Sequence, residues 1–330
     1  SLILIYNYLF FPIIGDDSGF YLATARDLYS GQIYFKDIGT IYNPLSILIF
    51  GSPFVINHTP PFWSHLVINI AALFFSALII YQILTFVLKE KVYRQLFLAL
   101  YFLLALILDG KHVMLEPFSV FWQLMAVFFC LKHSKMNSVS DLFLSGVFVS
   151  LSFLCKQYGL FIFLPIILSL ILKHKSKVWL FVLVFVAGFI LPLLLFYFYL
   201  SGHNIGYREY FSFILGQGLQ LDNGVGTSLT VNIFTYPIDI IWIVLFNLFG
   251  FLIPLLLIKK YSKLNRMKVF YIAAFFSSFT ILYFARYWHY FQYLEPYVII
   301  LFCYSMFTIP TNRSMMRSLM PSSAVLPTKT

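Results

Sequence analysis

The sequence predicts an all-α integral membrane protein of about ten transmembrane helices, with juxtamembrane helices in its first long loop. Three observations carry that expectation. Of 330 residues, 61% are hydrophobic and only 10% charged, with a mean hydropathy of +0.88, whereas soluble domains carry roughly 25% charged residues. Apolar runs approaching the ~20 residues that cross a bilayer as a helix recur along the chain. Basic residues collect in alternate loops and acidic residues in the others, the charge asymmetry that orients membrane proteins.

Taken in order, the apolar runs place spans at approximately 1–15, 61–88, 96–109, 115–131, 142–156, 158–172, 178–200, 237–258, 269–285 and 294–310. The first is apolar from Ser1 onward and lacks a charged leader or a small-residue cleavage site. It therefore reads as a truncated span rather than a cleaved signal peptide. Segment 44–57, PLSILIFGSPFVIN, is apolar but short and broken by Gly51 and Pro53. It reads as a juxtamembrane or re-entrant helix on the outer face. Residues 1–310 thus form one transmembrane domain, with long outer loops at about 16–60 and 201–236, and 311–330 read as a loose cytoplasmic tail.

The loops at 89–95, 132–141, 173–177 and 259–268, with the tail, hold 16 of the 22 basic residues against only Glu90 and Asp141. The opposite side holds the other ten acids against Arg26, Lys36, Lys111, Lys156, Arg208 and Arg286. By the positive-inside rule the first side is cytoplasmic. A net charge of +10 is therefore topology and not a nucleic-acid footprint. Cys130, Cys155 and Cys303 lie in apolar runs at no metal-ligand spacing, as buried free thiols do.

Chemistry concentrates in the first outer loop. Asp16-Asp17 follow the first span directly, and SGFYLATARDLYSG then reads as an amphipathic helix closed by Gly31 at its C′ position. Two carboxylates at the mouth of a span suit a general base or a cation site. They equally suit capping of the helix that follows.

The order Asp16-Asp17, Tyr21, Ala25-Arg26, Gly31, Tyr34, Asp37, Pro44 resembles the first outer loop of the GT-C glycosyltransferases, in the branch of protein O-mannosyltransferases and lipid A aminoarabinose transferases. Further matches run through Met114-Leu115-Glu116-Pro117-Phe118, Gly146 to Lys156 with Pro165, the loop at 201–236, and Arg286-Tyr287-Trp288-His289-Tyr290-Phe291 with Pro296. About 300 residues are covered. Asp17 departs mildly from the commoner Glu. Tyr42 and Asn43 stand where the aminoarabinose branch has a Glu-Lys pair, which argues against lipid A as acceptor and leaves a divalent cation open. No metal ligands are assigned.

The resemblance implies an inverting transferase that passes a sugar from a polyprenyl or dolichyl phosphate to a protein, lipid or glycan acceptor. The reaction face is extracytoplasmic, in a bacterial or archaeal cytoplasmic membrane or in the endoplasmic reticulum. It implies Asp16 as base, with Asp17 beside it. Arg26, Lys156, Arg208 and Arg286 are candidates for the lipid phosphate, and Asp37, Glu116 and His289 for substrate contacts. Each has a plainer alternative. Lys156 can snorkel to headgroups, Glu116 can complement its helix dipole, and Arg286 with His289 can anchor an interface. Two other classes compete. A transporter or flippase is expected to bury ionisable groups or show inverted repeats. An O-antigen-type polymerase uses arginines in large outer loops and lacks an acidic pair after the first span.

Overall fold

The computed structural model describes residues 16–38, 42–105, 114–174, 177–206, 208, 210, 272–274 and 292–307. The described residues are mostly helical and form no sheet beyond an isolated Tyr34–Ile38 bridge. In chain order the elements are α1 (Asp16–Tyr29), α2 (Pro44–Phe50), α3 (Pro53–Ile56), α4 (Phe62–Leu84), α5 (Lys91–Ala105), α6 (Glu116–Met136), α7 (Val139–Cys155), a 3-10 turn (Gln157–Ile162), α8 (Phe163–His174), α9 (Val178–Gly202) and α10 (Glu295–Phe307).

Three stretches among the described residues are long and apolar enough to cross a membrane: Phe62–Leu84, Gln157–His174 and Val178–Gly202. They fall on the spans expected at 61–88, 158–172 and 178–200. Their outward faces carry large apolar side chains such as Val67, Phe74 and Phe75 on α4 and Trp179, Leu183 and Leu195 on α9. Lipid, not water, suits that surface. The expected spans at 1–15 and 237–258 lie outside the described residues, as does nearly all of 269–285.

Local chemistry sets the ends that hydropathy leaves vague. Gly31 adopts φ +97°, and the bonds Gly31 N–H to Leu28 O (3.1 Å) and Gln32 N–H to Asp27 O (3.2 Å) close α1. This is the paired closure that a left-handed C′ residue permits, as the sequence predicts. Segment 44–57 breaks into α2 and α3 around Gly51, each opened by a proline. Helix α6 runs five residues past its expected end at 131. It stops only where Asn137 turns left-handed at φ 56°, and Ser138 then caps α7 by accepting from Asp141 N–H at 3.3 Å.

The described residues form two large adjoining cores and a small third cluster of Leu200, Ile205 and Tyr210. The first large core fills the bundle with residues such as Leu73, Ile80, Leu124, Val149, Ile166, Phe185 and Ile300. The second holds the first loop against it through Tyr21, Ala25, Tyr34, Ile47, Phe50, Leu115 and Phe118. Within the bundle α7 packs on both α6 and α9, and α4 packs on α6.

Candidate functional site

The α6–α7 hairpin is stitched by hydrogen bonds at regular intervals. Ser145 Oγ donates to Ala126 O at 2.8 Å. Ser119 and Ser152 exchange bonds, each hydroxyl donating to the other's carbonyl at 3.0 and 2.7 Å. Small hydroxyl residues join apolar helices in this way because their backbones come close and the hydroxyl has few other partners. The next rung of the same register is the Lys156–Glu116 ion pair, Nζ to Oε1.

Both partners are held by the chain around them. Glu116 opens α6, with Pro117 in the first turn, where a carboxylate complements the helix dipole. Lys156 leaves α7 in an extended conformation (φ −155°, ψ 139°), and Gly159 N–H returns to its carbonyl at 2.9 Å to start the 3-10 turn. A Cβ on Gly159 would run into the backbone of Ser152, so this elbow needs glycine. The side chains are 8% and 0% exposed, so Lys156 does not snorkel. It is a buried cation whose charge is met by a buried acid, an arrangement retained only when the partners are well aligned.

The first loop roofs this pair. The last carbonyls of a helix lack intrahelical donors. Here Asn43 Nδ2 donates to Phe153 O at 2.6 Å and Ser46 Oγ to Cys155 O at 2.8 Å. Tyr210, from the second long loop, donates its hydroxyl to Asn43 Oδ1 at 2.9 Å. Asn43 therefore ties both long loops to the end of α7. Replacing it with alanine removes the side-chain donor to the Phe153 carbonyl and the side-chain acceptor of the Tyr210 hydroxyl together. The expected cost is at least the roughly 1–3 kcal/mol of one unsatisfied buried group, read as a lower unfolding midpoint in detergent.

Tyrosines complete the roof. Tyr34 donates its hydroxyl to Tyr42 O at 2.7 Å, and its backbone N–H donates to the Tyr199 hydroxyl oxygen at 3.3 Å. The Tyr21 and Tyr42 rings meet edge to face at 4.8 Å. Phe35 adopts φ 64°, a left-handed conformation costly for an aromatic residue, and its ring lies 5.2 Å from that of Tyr210. Beside this layer opens an apolar cavity of about 290 Å³ lined by Leu28, Tyr34, Leu45, Leu48, Leu154 and Phe196.

Of the residues singled out from sequence, the structure brings Glu116 and Lys156 together. Asp16 and Asp17 lie in the first turn of α1. Arg26 is exposed and paired with its neighbour Asp27 at 3.1 Å, and Asp37 is exposed and accepts Ile33 N–H at 2.8 Å to close a turn. Arg208 is exposed two residues before Tyr210. Arg286 and His289 lie outside the described residues. Sequence reasoning missed Asn43, Ser46 and Tyr210, and it missed the serine rungs. It weighed Asn43 by the residue it replaced and not by its place before Pro44, at the mouth of a helix that needs a partner. Compared with models of known protein families, with curated proteins and with solved structures, the chain matches none.

Proposed function

We propose that this chain is an inverting glycosyltransferase that moves a sugar from a polyprenyl- or dolichyl-phosphate donor to an acceptor on the extracytoplasmic face, within a bundle of about ten spans. One observation carries the reading: a continuous frame links the helix of Asp16 and Asp17 to Lys156. Tyr29 of α1 donates to Leu48 O of α2 at 2.7 Å. Gly51 lets Tyr29 and Ala25 close on the end of α2, and α2 with Asn43 caps α7 at the elbow that presents Lys156. An acid and a cation needed for one reaction are thereby fixed to one scaffold.

In the proposed step Asp16 accepts the proton of the acceptor hydroxyl. The freed oxygen forms a bond to the anomeric carbon from the face opposite the phosphate. The bond from that carbon to the phosphate oxygen breaks, and its electron pair leaves with the lipid phosphate. Lys156 meets that growing negative charge, with Glu116 holding the ammonium in place. The cavity beside Leu48 and Phe196 offers an apolar wall for the lipid part of the donor. The test is Asp16→Asn in membranes supplied with polyprenyl-phosphate sugars. Transfer to the endogenous acceptor is expected to fall by about 10²–10⁴-fold, and undiminished transfer overturns the base assignment.

A different observation favours the transporter or flippase. Gln123 is fully buried in α6 with neither amide atom partnered among the described residues, and Glu295 is buried at the start of α10. Polar groups inside a membrane bundle line substrate paths. Translocation of a lipid-linked sugar that continues in Asp16→Asn membranes would decide for that reading.

A further inference from the structure

The opposite end of the α6–α7 hairpin carries a second constellation, which the sequence analysis does not pick out. His133 sits in the last turn of α6 and His174 ends α8. The fold sets their Nε2 atoms 2.9 Å apart. Nδ1 of His133 lies 2.7 Å from Ser138 O. A carbonyl only accepts, so that nitrogen carries hydrogen, and in the neutral ring Nε2 offers a lone pair. The hydrogen between the rings is then supplied by His174.

The surroundings are cationic and close. Lys173 of α8 donates to His133 O at 2.9 Å, and Lys177 N–H, at the entry to α9, bonds His174 O at 2.7 Å. Lys132 of α6 pairs with Asp141 of α7 at 3.0 Å. From α9, Phe181 stacks on His174 with ring centroids 3.8 Å apart and lies 5.3 Å from His133. Among the described residues no group of three His, Cys, Asp or Glu gathers to hold a metal ion.

We propose that His133 and His174 form a proton-operated clamp that ties α6, α8 and α9 together at the lysine-rich end of the bundle and releases them when a second proton is taken up. With one hydrogen between them the rings attract. With two, both Nε2 atoms are donors, the bond is lost, and two positive rings face each other beside Lys173. Burial of His133 lowers its basicity below the ordinary histidine range. Ser138 O opposes that effect, Lys173 adds to it, and Asp141 partly offsets it. The folded state therefore resists the proton that the unfolded chain takes up near pH 6.5. The clamp's contribution is complete above that pH and is lost as pH falls from about 6.5 toward the lower folded value. Read with the charge asymmetry of the loops, this end faces the cytoplasm, so the device responds to cytoplasmic acidification.

The test uses the full chain in nanodiscs, labelled with ¹⁵N-histidine. A coupling across the hydrogen bond between two imidazole Nε2 nuclei is expected at pH 7.5 and absent at pH 5.0. Its absence at pH 7.5, or its persistence at pH 5.0, overturns the clamp. Alongside, the unfolding midpoint is followed over the same range for the wild type and for His174→Gln, whose amide donates without titrating. The wild type is expected to lose a few degrees more than the variant. Equal losses overturn the proposal, and so does a fall in the wild-type midpoint at pH 7.5 on adding a chelator, which would make the pair a metal site.

Discussion

Replacing Lys156 with methionine is expected to lower the unfolding free energy of the detergent-solubilised protein by about 3–5 kcal/mol, because it strands a buried carboxylate. Glu116 has no exposed surface, and the serine rungs below it fix the hairpin register, so it cannot reach water without unzipping that end of α6 and α7. Glu116→Leu strands the ammonium and is expected to cost a similar amount. The double variant removes both charges from an apolar setting and is expected to return to within about 1 kcal/mol of the wild type, since packed apolar residues replace buried ion pairs at little cost. An SDS or thermal titration of the four proteins closes the cycle. Losses that simply add in the double variant would show that the pair is not coupled. Transfer activity separates structure from chemistry. If Lys156 meets the leaving phosphate, the double variant regains stability and stays inactive.

The contrast between α6–α7 and its neighbours shows what the sequence conveys and what it does not. Hydropathy located α4, α8 and α9, because a run that must face lipid on most sides is written in every residue. It misplaced the end of α6. There the chain stays helical through Lys132, His133 and Lys135, and the stop is set by one left-handed asparagine and a capping serine. Glu116 and Lys156 were each legible as charges at the ends of apolar runs. Their pairing was not, since forty positions separate them and only the register of Ser119, Ser145 and Ser152 brings them level. Those serines were readable in principle, as hydroxyls spaced along otherwise apolar helices. His133 and His174 were hidden for a related reason, each looking like part of a basic loop until the α6 and α8 ends were set side by side. Arg26 shows the reverse: its place in the first loop made it a candidate for phosphate, and the fold turns it outward to Asp27.

The crossing of α7 and α9 is expected to tolerate no side chain at either of two glycines. A Cβ on Gly146 would strike the carbonyl of Phe185, and a Cβ on Gly188 would strike that of Phe143. Each contact is with backbone, which cannot rotate aside, so even alanine must push the helices apart and thin the contacts around buried Phe185 and Val149. Gly146→Ala and Gly188→Ala are each expected to cost about 2–3 kcal/mol, near the upper end of ordinary overpacking. The double variant should cost less than the sum, because the first substitution already opens the space that the second needs. A full sum would show that the two glycines serve separate contacts. The consequence extends beyond stability. Lys156 lies ten residues along α7 from Gly146, about 15 Å at the helical rise, so a small tilt at the crossing is magnified at the elbow. If the chain is the proposed transferase, Gly146→Ala should therefore weaken transfer more than its loss of stability accounts for, measured below the unfolding transition. The close approach that lets the bundle form is in this sense also what aims its buried cation.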